Sequence, residues 1–176
     1  IEKYANRGVD LFEIRNEPNV KDFNPNGATA ADIAELTQRA KKAANELYSE
    51  GKISEPVKIA GLSVTEIDTA KTYNEWLLPA VEAGIVGGEN GMDVLNLHPY
   101  AHNMIPEDAK TYNSVLKFKN YIKDEKGVDI PVLISEYGNA LGEKTFVAQC
   151  RLAQGGTWSG TVQNLRHNWS PVFCFR

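Results

Sequence analysis

Short apolar runs alternate with longer stretches of helical periodicity along most of this chain. The four apolar runs are Val9–Ile14, Val57–Val64, Met92–Leu97 and Ile130–Ile134. The stretches between them place apolar residues three and four positions apart, which is the spacing of an amphipathic helix. A strand followed by a helix, repeated in this way, is typical of βα units built around a parallel sheet. The sequence therefore predicts the α/β class.

The helical stretches carry signals for where they begin and end. In the first of them, Thr29 is a candidate N-cap and Gly51 a candidate stop. The second contains Trp76, which we interpret as a residue packing helix against sheet. The third begins after Pro106 and ends near Gly127, and proline near a helix start with glycine past its end is the usual arrangement. These signals favour three helices, each preceded and followed by a strand.

The bulk composition excludes several classes of protein. A chain of 176 residues with a hydrophobic fraction of 42% fits a single domain spanning residues 1–176, with a core of its own. The net charge of −4 and the scattered lysines and arginines argue against a nucleic-acid partner. No apolar run approaches the roughly 20 residues that cross a bilayer, so we expect no membrane partner.

The end of the chain follows no dependable period. We treat residues 143–176 as a C-terminal segment of the same domain, in which a pair of glycines interrupts a helical pattern and Val172–Phe175 is a candidate last strand. The two cysteines, Cys150 and Cys174, both lie in this segment. They could form a disulfide or both be free, and the sequence leaves the two alternatives open.

Polar residues follow three of the four apolar runs at the point where each ends. They are Arg15–Asn19 after the first run, His98–Tyr100 after the third and Ser135–Gly138 after the fourth. Because ligands bind at the carboxyl ends of parallel strands, these residues should meet on one rim. Two carboxylates among them, Glu17 and Glu136, suit the cleavage of a glycosidic bond, which needs one acid and one nucleophilic or basic carboxylate.

Three of these motifs resemble those of a known group of enzymes. Asn16-Glu17-Pro18 resembles the strand-four motif of the clan A retaining glycoside hydrolases, which are (β/α)8 barrels. Ile134–Gly138 resembles the strand-seven nucleophile motif of that clan, and His98-Pro99-Tyr100 is similar to its strand-six His-x-Tyr. The resemblance covers about residues 9–139, and the three motifs follow one another in the clan's order. It implies the C-terminal portion of a barrel, covering about strands four to seven or eight.

The resemblance also implies a role for each matching residue. Glu17 would be the general acid/base and Glu136 the nucleophile of a double displacement. Asn16 would bind the 2-hydroxyl of the sugar, Tyr100 would donate a hydrogen bond to Glu136, and His98 would line the same subsite. The expected substrate is a β-linked oligo- or polysaccharide, with families that cleave xylosides, arabinosides or β-glucans favoured and none chosen among them. Members of the clan are often secreted, which suggests a secreted or periplasmic location.

Each of these residues has a structural alternative. Glu17 could be a surface carboxylate that leads into a helix, and His98 could be a buried structural imidazole. Glu13 has the same strand parity as Glu17, and we interpret it as a structural carboxylate paired with a lysine or arginine. A metal site is not expected, because Pro99 lies between His98 and His102 and breaks the helical geometry of a zinc motif. No cofactor is expected either, since no glycine-rich phosphate loop is present.

The expected barrel is incomplete within this sequence. A complete (β/α)8 barrel needs about 250 residues, and the strands here resemble only its later ones. We therefore expect a fragment whose half-barrel edges would promote self-association, a behaviour that a sharply melting monomer of 176 residues would contradict. Two other functions stay open. One is a truncated, non-catalytic or sugar-binding remnant, and the other is a different parallel-barrel enzyme, an isomerase or lyase that uses Glu136 as a base.

Overall fold

The computed structural model describes residues 1–100, 110–136 and 173–175. The strands are β1 (Leu11–Glu13), β2 (Lys58–Thr65), β3 (Val94–His98), β4 (Val132–Ile134) and β5 (Phe173–Phe175). The helices are α1 (Glu2–Ala5), α2 (Ala30–Ser49), α3 (Ala70–Thr72), α4 (Leu78–Glu82) and α5 (Lys110–Lys126). Cys150, the start of the helix expected after Pro106 and most of segment 143–176 lie outside the described residues.

Strands β1 to β4 form a parallel sheet in which each strand pairs with the next one along the chain. Helices lie between consecutive strands, so the predicted α/β class and the alternation of strand and helix are confirmed. A doubly wound sheet reverses its strand order at a switch point, whereas a barrel adds strands in sequence. The unreversed order of these four strands is that of a segment of a (β/α)8 barrel.

The short strand expected near the end of the chain is present as β5, but it runs antiparallel to β4. Its register places Phe175 opposite Val132 and Phe173 opposite Ile134. An eighth barrel strand would run parallel to the seventh. The sequence could indicate the strand but not its direction, because apolar residues fix neither the connection nor the sense in which a strand enters the sheet.

Helix α2 forms where the sequence predicts it. The Thr29 hydroxyl accepts a hydrogen bond from the Asp32 backbone N–H, and the Asp32 carboxylate accepts one from the Thr29 backbone N–H, which makes a reciprocal capping box. Gly51 follows the end of the helix with φ +69°, a conformation that glycine adopts without steric cost. One face of the helix packs on the sheet and contains the buried residues Ala30, Ile33, Ala34, Thr37 and Ala44.

The second helical stretch is continuous from residue 70 to residue 82 but widens into a π turn at Tyr73–Leu77. Thr69 caps its start by accepting a hydrogen bond from the Thr72 backbone N–H. Trp76 packs against the main hydrophobic cluster, which confirms that it joins helix to sheet. None of the helices in the described part of the chain is long and apolar enough to span a membrane.

The face of the sheet that looks away from the helices carries a smaller apolar cluster. Its buried members are Ala60, Val94 and Leu133, with Leu11 packed against them. In a barrel this is the inner face. These three side chains are buried. Self-association through the edge of β1 stays a prediction.

A half-buried ion pair connects α2 to the sheet. Lys41 Nζ lies 2.8 Å from Asp93 Oδ1, and its side chain is only 14% exposed. The other oxygen of Asp93 accepts a hydrogen bond of 2.7 Å from the Ile59 backbone N–H at the start of β2. Asp93 therefore holds one helix and one strand together.

Replacing Asp93 with alanine should lower the free energy of unfolding by about 1–3 kcal/mol, because Lys41 and the Ile59 N–H both lose a partner away from water. Urea denaturation followed by circular dichroism measures this change. Asp124→Ala on the exposed face of α5 is the control and should change stability by less than about 0.5 kcal/mol. Equal effects of the two substitutions would contradict the role given to Asp93.

Candidate active site

On the inner face of the sheet, the side chains change from apolar to polar towards the carboxyl ends of the parallel strands. Side chains two residues apart on a strand share a face, so Glu13 follows Leu11 and Ser135 follows Leu133. On β3, Asn96 and then His98 follow Val94 in the same way, and both are fully buried. An apolar layer is therefore succeeded by a layer of carboxylate, amide, imidazole and hydroxyl groups.

A bulge in β2 adds Ser63 to this polar layer. The register between β2 and β3 shifts between Leu62 and Val64, and both of these residues belong to the core on the helix side. Ser63, between them, instead accepts a hydrogen bond of 3.0 Å from the Asn96 side chain. Leu62 and Ser63 have φ of 77° and 48°, which is strained for non-glycine residues. Bulges of this kind often redirect a side chain next to an active site.

The loop after β1 holds Glu17 over the polar layer. The Glu17 backbone N–H donates to the Ser63 carbonyl at 2.9 Å, so the bulge also positions this loop. The Asn19 side chain donates to the Thr65 carbonyl at 2.9 Å and accepts from the Thr65 N–H at 3.1 Å. Glu17 has φ 40° and is only 8% exposed. The surface alternative for Glu17 is therefore wrong, since its carboxylate lies inside the site.

His98 connects Glu17 to the rest of the layer. Its Nδ1 lies 3.1 Å from Glu17 Oε1, and its Nε2 lies 3.0 Å from Ser135 Oγ and 3.5 Å from Glu13 Oε1. Burial lowers the pKa of His98, but hydrogen bonds to Glu13 and Glu17 and the charge of Glu136 outweigh it. The pKa of His98 therefore lies above its ordinary value.

In the part of the chain that the structure describes, Glu13 pairs with this histidine and not with a lysine or arginine, so the partner expected from the sequence is corrected. The reason is the parity of β1 and β3, which places both side chains on the inner face. Burial raises the pKa of Glu13, but hydrogen bonds from His98, Ser135 and Ser63 outweigh it and hold that pKa below its ordinary value.

Tyr100 and Glu136 form the second half of the site. The Tyr100 hydroxyl donates to Glu136 Oε2 at 2.8 Å, which is the hydrogen bond that the sequence resemblance implies. Burial and this carboxylate raise the pKa of Tyr100, so the phenol keeps its proton and remains a donor. The side chain of Glu136 is 39% exposed, whereas that of Glu17 is 11% exposed.

The two carboxylates approach each other closely. One oxygen of Glu17, one oxygen of Glu136 and a nitrogen of His98 all lie within 4.8 Å of one another. Among the described residues this group could by distance alone surround a cation. Both nitrogens of His98 already face oxygen partners, however, so hydrogen bonds account for the cluster and we assign no metal to it.

Of the residues proposed from sequence, Glu17, His98, Tyr100 and Glu136 come together in one site, whereas Asn16 is exposed beside Glu17. Sequence reasoning gave no role to three residues that join the strands. They are Ser63, Asn96 and Ser135, of which Asn96 donates to both serine hydroxyls. The available signal was their polarity within otherwise apolar strands, since a buried polar group needs a partner.

The chain is similar in fold to part of a solved structure, a GH39 β-xylosidase from Caulobacter crescentus. The match has a TM-score of 0.48 and 17% sequence identity, and it covers 80% of this chain and 27% of that one. The chain therefore spans about a quarter of the length of the protein it matches. No family model matches the chain. No curated protein matches it either. The chemistry of the site therefore rests on its own geometry.

Proposed function

We propose that this site hydrolyses a β-linked oligo- or polysaccharide with retention of anomeric configuration. In this proposal Glu17 is the acid/base and Glu136 is the nucleophile. The observation that carries it is that one carboxylate oxygen of Glu17 and one of Glu136 lie within 4.8 Å of each other. So close an approach favours the spacing of retaining glycosidases, about 5–5.5 Å between carboxyl groups, over the about 6.5–9.5 Å that inverting ones need to admit a water molecule.

The environments of the two carboxylates suit different tasks. Glu17 is nearly buried and faces His98, a group that can exchange a proton with it. Glu136 is more exposed and accepts a hydrogen bond from Tyr100, a donor that keeps its proton. In the first step Glu17 protonates the leaving oxygen while Glu136 attacks the anomeric carbon. In the second, Glu17 takes a proton from water as that water displaces Glu136.

The other residues support these two. Asn16 stands exposed beside Glu17, and we place its amide on a sugar hydroxyl. A hydrogen bond to the 2-hydroxyl strengthens as the transition state forms, so this contact would favour the reaction. His98 lies at the floor of the site and Tyr100 fixes the rotamer of Glu136.

The stereochemistry of the first product tests the proposal. Proton NMR follows the hydrolysis of aryl β-xyloside, β-glucoside and α-arabinoside substrates. The anomeric signals of the product are recorded before mutarotation. The initial product should have the configuration of the substrate. An inverted initial product would contradict the mechanism. Absence of hydrolysis across a panel that includes xylan and β-glucan would favour the non-catalytic alternative.

Replacing Tyr100 with phenylalanine should lower kcat/KM about tenfold, the scale of one lost hydrogen bond to a charged group. The ring remains, so packing is retained and only the donor to Glu136 is lost. Steady-state kinetics on the substrate hydrolysed fastest measure the change. Tyr48→Phe, at an exposed position of α2, is the matched control and should leave kcat/KM unchanged. Unchanged kinetics of the Tyr100 variant would argue against Glu136 as the reacting carboxylate.

A further inference from the structure

Glu13 has no part in the two-carboxylate mechanism, yet it lies within the site. Its carboxylate is 3.5 Å from His98 Nε2, on the side of the ring opposite Glu17. The side chain retains 29% exposure and belongs to the short strand β1. A third carboxylate in a layer that already holds two adds repulsion, so its presence calls for a physical reason.

The orientation of Asn96 fixes the direction of the hydrogen bonds in this layer. The Ser135 backbone N–H can only donate, and it lies 3.2 Å from one end of the Asn96 amide, which must therefore be the oxygen. The amide nitrogen then faces Ser63 Oγ at 3.0 Å and Ser135 Oγ at 2.8 Å. Both hydroxyl oxygens are thus acceptors from Asn96.

Each serine hydroxyl has one proton, and that proton remains available for Glu13. Hydrogen bonds from both hydroxyls contribute to the lowered pKa of Glu13, in agreement with this direction. His98 Nε2 consequently faces two acceptors, the Ser135 oxygen at 3.0 Å and the Glu13 carboxylate at 3.5 Å. A nitrogen between two acceptors carries a hydrogen, so the Nε2–H form of the ring is selected.

The selected form leaves Nδ1 directed at Glu17, at 3.1 Å. When Glu17 carries a proton, Nδ1 accepts a hydrogen bond from it. When Glu17 is ionised, Nδ1 can hold the proton and donate back. This contact therefore allows one proton to pass between the two residues.

We propose that Glu13 is a positioning residue that acts through His98, selecting the Nε2–H ring and keeping one proton on the His98–Glu17 pair. The acid/base part of this inference rests on the proposed function, whereas the state of the His98 ring does not. In this proposal Glu13 contacts neither the leaving oxygen nor the anomeric carbon of the substrate.

The charges around His98 determine the sign of the effect. Within residues 1–100, 110–136 and 173–175, the ionisable groups that face it are Glu13 from β1, Glu17 from the following loop and Glu136 after β4, at 3.5, 3.1 and 4.0 Å. Three carboxylates favour the protonated ring, so removal of one negative charge favours loss of its proton. The pKa of His98 should therefore fall in Glu13→Gln.

Nitrogen NMR of 15N-histidine-labelled protein tests the ring directly, without any substrate. The chain has three histidines, and the spectrum of His98→Gln identifies the His98 signals. The wild-type ring should carry its hydrogen on Nε2 when neutral, and its titration midpoint should fall by about one pH unit in Glu13→Gln. Glu35→Gln, on the exposed face of α2, is the matched control and should leave the midpoint unchanged.

A hydrogen on Nδ1 in the neutral wild-type ring would overturn the proposal, and this measurement needs no variant at position 13. An unchanged midpoint in Glu13→Gln would overturn it as well. Because no turnover is involved, these results stand whether or not the protein hydrolyses glycosides.

The pH dependence of kcat/KM tests the consequence for catalysis. The alkaline limb reports loss of the shared proton, so Glu13→Gln should move it to lower pH by about one unit. Glu13→Asp keeps the charge and should restore most of the wild-type limb. A loss of rate that is equal at every pH would mean that Glu13 is merely structural. An enzyme with the expected His98 titration but no glycosidase activity would refute the proposed function alone.

Discussion

Replacing Glu136 with alanine is expected to lower kcat by about 10⁴-fold or more, the scale of the loss when a covalent nucleophile is removed. Without this carboxylate the glycosyl-enzyme cannot form, and the remaining groups can only bind the substrate. The side chain is partly exposed and its one described hydrogen bond is from Tyr100, so its removal should leave the fold intact. Initial rates on an activated aryl glycoside, with thermal melts of the same samples, measure both properties.

Glu125→Ala on the exposed end of α5 is the matched control for this substitution and should keep the wild-type rate. Added azide should partly restore turnover of Glu136→Ala with the opposite anomeric product, because the anion replaces the missing nucleophile from solution. A Glu136→Ala protein that kept a tenth of the wild-type kcat would contradict the assignment.

Replacing Glu17 with alanine should lower kcat/KM by about 10²–10⁴-fold on substrates with a poor leaving group. The loss should be much smaller on 2,4-dinitrophenyl glycosides, since that leaving group departs without protonation. The second step still needs a base, so the glycosyl-enzyme should accumulate. Azide should then speed turnover and yield a glycosyl azide of retained configuration. The leaving-group dependence of the rate measures the role of Glu17 separately from binding.

The matched control for position 17 is Glu82→Ala, an exposed glutamate at the end of α4. Its kinetics should be the same as those of the wild-type protein with every leaving group. An equal loss on good and poor leaving groups in Glu17→Ala would mean that this residue holds structure and does not transfer a proton.

The architecture was largely predictable because its signals are local. Thr29 and Gly51 bracket α2, and the apolar runs correspond to the parallel strands within a few residues. The direction of β5 was not predictable, since a short aromatic run carries no information on the connection that leads to it. The π turn at Tyr73–Leu77 likewise has no signal in the apolar spacing.

The sequence predicted the site residues at the strand ends but not the bulge in β2 that supports them. The positions of Glu17, Tyr100 and Glu136 followed from motifs at strand ends. The bulge at Leu62–Ser63 did not, because it depends on how β2 meets β3 and on strain that the rest of the fold stabilises. This bulge supplies the Ser63 carbonyl that holds the Glu17 backbone.

Strand parity was the sequence signal that placed Glu13 in the inner part of the site. It indicated that Glu13 points the same way as Glu17, but it could not name the partner, because that partner lies on another strand. In the structure the Glu13 carboxylate lies 3.5 Å from His98 Nε2. Glu13 therefore interacts with a residue of the candidate site, where the sequence had suggested only a structural role.

Covalent trapping identifies the residue that acts as the nucleophile. The protein is incubated with 2-deoxy-2-fluoro glycosides that carry a dinitrophenyl leaving group, and intact mass and peptide mass spectra are recorded. We expect one added fluoroglycosyl unit per chain, located on Glu136 and absent in Glu136→Ala. A label on another residue, or no label in wild-type protein that hydrolyses the parent glycoside, would contradict it.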